Sequence, residues 1–497
     1  MGINMAGKAP SIADRKSQHP LMKRSKDIEA MVPYWTKVDD IVEGYDAIKN
    51  AGKTYLPKFS GEEKVDYDTR LEHTKFTNIY RDVLEGLATK PFEDEVKLLG
   101  EEEKIPEEIR QFIENVDGAG SHITVFSALT FFNGINSAID WIMIDYPKKD
   151  ESIRTKADQK KAGIRPFWTH ILAKNVLEVR SNVVGEEEVI TYFRLFEPAH
   201  ADNEDRVRVF ERIGNNVTWV LHEYNPKAEK DEDLFIEVDS GVISIGVIPF
   251  VPFSTGRRDG KSYKFYPPMR DAADLQITLY RNESALEFIK TMAGYPMLAA
   301  NGMKPQVDEK GKAEKLAIGP MKVLYGVPDG AGNHGEWKFI EPNANSMEFL
   351  QKNIDKTKQD LRELGRQPLT ALSQQLTTVT TSVAAGKAKS AVTAWAFMLK
   401  DALENALKMT ALWMNITYDP EVHVFTGFDN VLDDGKDLDA LNSARDRGDI
   451  SQETYLAEFK RRKVLSPEFS YEEEKKKLLA EIPDEGLDSP PIEDENV

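Results

Sequence analysis

The sequence predicts an α+β fold, mainly helical, with one antiparallel sheet among the helices, and three observations lead there. Apolar residues recur at helical spacing from Ile28 to about Pro91, and again from Pro106 to Met143. Between about Phe167 and Phe253 the period changes to two: Val207, Val209, Val217, Trp219 and Leu221 alternate with polar neighbours. Beyond Pro267 two long helical patterns bracket a short excursion, and a third long helix follows. The chain has 497 residues, enough for about three structural units at typical domain size.

The elements follow in order. Residues 1–27 are polar and carry Lys8, Arg15, Lys16, Lys23, Arg24 and Lys26, so a flexible basic arm is expected. Helices over 28–145 include TKVDDIVEGYDAIKNAG and YDTRLEHTKFTNIYRDVLEGLATKP, which Gly52 and Pro91 terminate. A sheet of about five strands over 164–253 turns at Gly214-Asn215-Asn216. After Pro267-Pro268, Leu275, Leu279, Asn282, Leu286 and Ile289 mark a helix that stops at Gly294-Tyr295-Pro296; such a helix is roughly 39 Å long. Short strands and turns occupy 296–343. A second long helix is capped by Asn345 with Glu348 three residues on, and its stripe is Leu350, Ile354, Thr357, Leu361 and Leu364.

Residues 367–386, QPLTALSQQLTTVTTSVAAG, carry no charge in a chain that is 30% charged. A polar loop of that length is uncommon inside a compact domain and is usually functional. The third long helix, within 387–428, has Ala391, Trp395, Met398, Ala402, Ala406, Met409 and Trp413 on one face. Two shorter helices are expected within 429–480, and the acidic end 481–497 reads as disordered.

Several chemistries are excluded. There is no cysteine, hence no disulfide, thiolate metal site or Cys nucleophile. The N-terminal stretch lacks the apolar core of a signal peptide, and the longest apolar run, Gly241 to Phe253, is too short to span a bilayer. Gly330, Gly332 and Gly335 spell G-x-G-x-x-G, but a strand-like EWKFIEP follows where a dinucleotide fold needs a helix. Gly256, Gly260, Lys261 and Ser262 resemble a phosphate loop one residue too short. The eight histidines are scattered, so no catalytic residues, metal ligands or cofactor are expected. One enzymatic reading competes, a metal-dependent DNA-processing enzyme built on Asp429, Asp433 and Asp434.

Tyr55-Leu56-Pro57, Tyr67, Arg70, Phe76-Thr77-Asn78, Asp117-Gly118-Ala119-Gly120 and Asp145-Tyr146-Pro147 form a series, continued by PPMRDAADLQITLYRNESALEFIKTMAGYPMLAANG and LTTVTTSVAAGKAKSAVTAWAFMLKDALENAL. In these the sequence resembles the portal proteins (head–tail connectors) of tailed bacteriophages, over roughly residues 28 to 465. The resemblance implies a wing over 28–262, stem helices over 263–295 and 344–365, a clip over 296–343, a tunnel loop over 366–386, a junction helix over 387–428 and a helical crown over 429–480. It also implies a dodecameric ring at one capsid vertex of the virion, assembled in the bacterial cytoplasm, with no enzymatic activity of its own. Double-stranded DNA would pass through the channel during packaging and ejection. Further partners would be the terminase large subunit, head-completion and adaptor proteins, and the major capsid and scaffolding proteins; no membrane is implied. The alternative on the structural side is another virion structural or adaptor protein.

The composition of the loop suits that role. A net charge of −19 disfavours adhesion of DNA to the outer surface, because repulsion acts over about 8–10 Å at physiological salt; it leaves DNA enclosed by a ring open. A segment touching moving DNA should stay hydrated yet offer few cations, since each phosphate contact adds a salt-dependent hold. Gln367, Thr370, Ser373, Gln374, Gln375, Thr377, Thr378, Thr380, Thr381 and Ser382 fit that description, with Arg366, Lys387 and Lys389 as candidate phosphate contacts.

Overall fold

The computed structural model describes residues 12–147, 163–201, 203–294, 297–301, 336–340, 344–364, 378–426, 436–461, 465, 469–471 and 474–476. The chain divides into two units, Met1–Thr426 and Gly427–Val497.

The first unit opens with eight described helices, α1 (Ile12–Gln18), α2 (Lys26–Glu29), α3 (Val32–Glu43), α4 (Tyr45–Ala51), α5 (Lys64–His73), α6 (Ile79–Ala88), α7 (Glu107–Ile113) and α8 (Ile123–Ser137). Pro33 lies in the first turn of α3, where its missing N–H is no loss, and Tyr34, Trp35, Val38 and Ile41 form the buried face. Gly44, at φ 107°, ends that helix in a conformation that favours glycine. The Asn78 side chain accepts the Arg81 N–H and so caps α6, which buries Tyr80, Val83, Leu84 and Leu87.

In α8, Gly134 lies under Phe253: a Cβ there would sit 2.2 Å from Cε1 of that ring. Gly134→Ala should therefore overpack the core and cost about 1–3 kcal/mol. A melting temperature equal to wild type would show that the ring moves aside freely.

From Ile12 onward the expected mobile arm is instead held down. Arg15 pairs with Asp231 at 2.7 Å, Lys16 pairs with Asp205, and His19 lies 4.9 Å from the Phe235 ring. Leu21 and Met22 pack against Leu177, Val207, Tyr224, Leu234 and Phe235. Composition displays the cations of the arm but not their partners, which stand 216 and 189 residues further along the chain.

The strands are β1 (Lys97–Leu98), β2 (Ile139–Asp145), β3 (Phe167–Ile171), β4 (Val176–Val184), β5 (Glu187–Glu197), β6 (Arg206–Ile213), β7 (Asn216–Tyr224), β8 (Phe235–Ile243), β9 (Phe250–Ser254), β10 (Arg257–Arg258) and β11 (Phe265–Tyr266). Strands β4 to β8 form the expected five-stranded antiparallel sheet in sequence order, and β6 turns into β7 with Ile213 opposite Asn216. A second sheet, β3-β2-β9, packs through Trp141 and Phe250 against Phe193 and Phe210 of the first. β2 is buried from Ile139 to Ile144. The acid inside this buried run, Asp140, is pushed up to about 6 by burial, against the opposing effect of its hydrogen bond to His170. The glycines of GRRDGKS belong to the β10–β11 hairpin, with Gly260 at φ 61°, and no helix follows directly as a phosphate loop requires.

The unit continues with α9 (Arg270–Gly294), β12 (Met297–Asn301), β13 (Glu336–Ile340), α10 (Ala344–Leu364), α11 (Thr378–Met414) and β14 (Val422–His423), which pairs with β1. The strand expected after the glycines at 330–335 is present as β13; the glycines themselves lie outside the described residues. Asn345, expected as a cap, is the second residue of α10.

One boundary is corrected. The loop expected over 366–386 gives way to helix at Thr378, so Thr378, Thr380, Thr381 and Ser382 belong to α11. Hydroxylated and β-branched residues have modest intrinsic helix propensity and so suggest a loop, but a helix propagates through such residues once it is nucleated.

In the second unit α12 (Lys436–Asp446) and α13 (Gln452–Arg461) are joined by hydrogen bonds from Tyr455 to Asn442 (2.7 Å) and from Arg445 to the Ile450 carbonyl (3.0 Å). The acidic end 481–497 lies outside the described residues.

Candidate functional site

α9 has 25 residues and α10 has 21. β12 leaves the end of α9 and β13 returns to the start of α10, with Met297 opposite Ile340 in an antiparallel ribbon. The two helices therefore run antiparallel, and Lys358 of α10 reaches Glu283 of α9 at 3.2 Å. α10 buries Ile354, Thr357 and Leu361, three members of its expected stripe.

α9 departs from its expected stripe. Leu275, Asn282 and Ile289 are only half-buried, whereas Gln276, Glu283 and Ser284 are buried together with Ala273, Ile277, Leu279 and Tyr280. The polar members fasten α9 to the N-terminal helices. Gln276 accepts the N–H groups of Ile79 and Tyr80, both at 3.0 Å, and donates to the Thr77 carbonyl. It thereby satisfies donors at the start of α6 that have no partner within the helix. Glu283 accepts the Thr77 N–H at 3.1 Å and its hydroxyl at 2.6 Å. The Thr74 hydroxyl donates to the Arg70 carbonyl at 2.6 Å and lies 2.9 Å from the Ser284 hydroxyl, whose oxygen Arg70 contacts at 3.3 Å.

Arg70 is the centre of this lock. It is 5% exposed and grips both carboxylate oxygens of Glu62, at 2.7 and 2.9 Å, while donating to the Pro57 carbonyl. The hydrogen bonds from Arg70 hold the Glu62 carboxyl below its ordinary range. Arg281 of α9 donates to the Tyr55 carbonyl, and the Tyr55 hydroxyl donates to Asp40. Tyr55-Leu56-Pro57, Arg70 and Phe76-Thr77-Asn78 are thus fasteners between the N-terminal helices and α9. Asp145-Tyr146-Pro147 acts similarly at the sheets: Asp145 accepts from Arg208, and Tyr146 stacks on Trp413 of α11 with centroids 5.2 Å apart.

The proposed DNA-facing residues divide in two. Arg366, Gln367, Thr370, Ser373, Gln374, Gln375 and Thr377 lie outside the described residues, as do Asp429, Asp433 and Asp434. Thr378, Thr380, Thr381, Ser382, Lys387 and Lys389 fall within the first four turns of α11. Lys387 and Lys389 stand two positions apart in that helix.

The buried face of α11 is also shifted from the expected one. Trp395, Ala402 and Ala406 are buried as expected, but Val392, Leu399, Leu403 and Leu407 join them while Met398 is 44% exposed. Thr410 accepts the indole N–H of Trp168 at 2.8 Å, tying α11 to β3. Among the described residues no group of three or more His, Asp or Glu could hold a metal ion, and no helix is long and apolar enough to cross a membrane.

Residues 268–414, from the turn before α9 to the end of α11, match the model of a domain of unknown function, DUF4055. No curated protein matches the sequence. Solved structures similar to the chain include the neck of a native gene transfer agent particle computed with C12 symmetry, at 11% identity and TM-score 0.40, covering 76% of this chain and 88% of that one. The virion of a native gene transfer agent particle gives 10% and 0.38, with 87% and 98% covered. The neck of the empty particle computed with C6 symmetry gives 12% and 0.39, with 84% and 94% covered.

Proposed function

We propose that the chain is a portal-type subunit: a ring of about twelve copies at one vertex of a phage-like capsid, through which DNA enters and leaves. The observation that carries this reading is the pair of long antiparallel helices, α9 and α10, locked to the N-terminal helices and bracketing the β12–β13 ribbon. In this assignment they are the stem, 296–343 is the clip that docks the terminase and later the head-completion proteins, and 28–262 is the wing. Residues 387–428, helical only as far as Met414, are the junction, and 429–480 form the crown on the capsid side. The charge-free stretch 367–386 lines the channel, with Thr and Gln contacting DNA without holding it. The ring is a passive conduit, and nucleotide hydrolysis belongs to the terminase partner.

A head-to-tail ring needs a heterologous contact surface on each subunit. α10 buries one narrow stripe and leaves Phe349 71% exposed. Native mass spectrometry and negative-stain electron microscopy of the purified protein should show closed rings with a central hole. Phe349→Glu should leave the melting temperature unchanged and shift the population toward smaller species. A wild-type protein that stays monomeric when concentrated would overturn the assignment.

A further inference from the structure

We infer that the open cleft between residues 20–27 and β4 is a docking site for an extended acidic peptide of a partner protein. The inference stands apart from the portal reading, because it uses neither the stem helices nor the channel. The cleft has a volume of about 520 Å³, and its charged lining is Lys23, Arg24, Lys26, Arg180 and Arg194 against Asp27 and Glu178. Both acids are already engaged. Glu178 accepts from Arg180 at 2.6 Å and from Arg194 at 2.8 Å, and Asp27 accepts the Tyr263 N–H.

Among the described residues Lys23 and Lys26 have no carboxylate partner, and both are exposed. Arg24 donates one Nη to the Lys174 carbonyl, which fixes the guanidinium, yet its Nε is buried without a hydrogen-bond partner among the described residues. A chain with 84 acids to 65 Lys and Arg has left three cations unneutralised side by side. A carboxylate is the ligand that two ammonium groups and a planar guanidinium fork favour.

Two features favour a peptide over nucleic acid. No aromatic side chain lines the cleft, so bases would find no stacking platform. The adjoining strand is the edge of the five-stranded sheet, and the Ser25 N–H already donates to the Leu177 carbonyl on it. An edge strand offers alternating N–H and C=O groups, which an extended peptide matches and a phosphate backbone does not.

The test uses the full-length protein, a short fluorescein-labelled peptide alternating Glu and Val, and a labelled DNA duplex carrying the same number of negative charges, read by fluorescence anisotropy. The peptide should bind more tightly than the duplex, and the double variant Lys23→Glu with Lys26→Glu should weaken it by roughly tenfold or more. Those two substitutions keep the Lys23 carbonyl that Arg194 uses, so an unchanged melting temperature is expected and checks the fold. A duplex that binds as well as the peptide through the same lysines would replace the inference with a nucleic-acid site. No binding of either ligand, or binding indifferent to the double variant, would reduce the cations to protection of a sheet edge.

Discussion

Arg70→Ala is expected to destabilise the first unit by about 3–5 kcal/mol, the range for removing one partner of a buried ion pair. The side chain is nearly inaccessible, and so is Glu62, whose side chain is 6% exposed. Without the guanidinium the Glu62 carboxylate keeps the Phe59 N–H but loses both hydrogen bonds from Arg70, the Pro57 carbonyl loses its Arg70 donor, and Phe59 loses the cation 4.1 Å from its ring centre. Lysine should not rescue, because a single ammonium cannot grip two carboxylate oxygens and a carbonyl at once. Replacing both partners, as Arg70→Met with Glu62→Leu, should recover much of the loss, since no uncompensated charge stays buried.

The pair also predicts a pH dependence. Arg70 lowers the Glu62 pKa in the folded state from its ordinary 4.5, so the unfolded chain binds the proton first as pH falls. The contribution is therefore fully present above about pH 4.5 and is lost as pH drops through the lower folded value. Arg70→Ala should lack this acid limb. Thermal melts at neutral pH and at a series of acidic values test both statements, and a neutral-pH melting temperature equal to wild type would sink the lock.

What the sequence revealed and what it concealed follow from one distinction. Period-2 alternation and 3.6-period stripes report burial of apolar residues, so the five-stranded sheet and the stripe of α10 were legible from Val207, Val209 and Trp219, and from Ile354 and Leu361. In α9 the apolar spacing locates Leu279 and Leu286 correctly in the core, but it also selects Leu275, Asn282 and Ile289, which are half-buried, and misses Gln276, Glu283 and Ser284, because buried polar groups are disguised as surface until their partners are known. Those partners are about 200 residues away in sequence. A signal did exist, since Arg70 and Thr77 stand in motifs that carry the family resemblance, but the motifs did not disclose that their work is to fasten helices. The arm followed the same logic: Lys16 and Arg15 read as free charges until Asp205 and Asp231 were seen beside them.

Gly386→Pro should leave rings assembled and sharply reduce the yield of genome-filled particles. The first nine residues of α11, TVTTSVAAG, include three threonines, two valines and a glycine; summed propensities make such a stretch roughly 4 kcal/mol less favourable as helix than alanine. The composition that leaves the segment charge-free also leaves it weakly helical, so a modest perturbation reshapes it. Proline at 386 removes the hydrogen bond a helix makes there to the carbonyl four residues back and clashes with that carbonyl, at a cost of about 3 kcal/mol or more. The helix would then restart near Lys387, turning that lysine into a first-turn residue and releasing 378–385. Gly386→Ala acts in the opposite sense, strengthening the helix by about 1 kcal/mol. If the segment must unwind for DNA to pass, both variants lose packaging; if it must stay helical, only the proline does. Electron microscopy of particles from both, with deletion of Thr377–Thr381 as a third arm, reads genome content and ring assembly together. Full particles from Gly386→Pro and from the deletion would remove this segment from the DNA path.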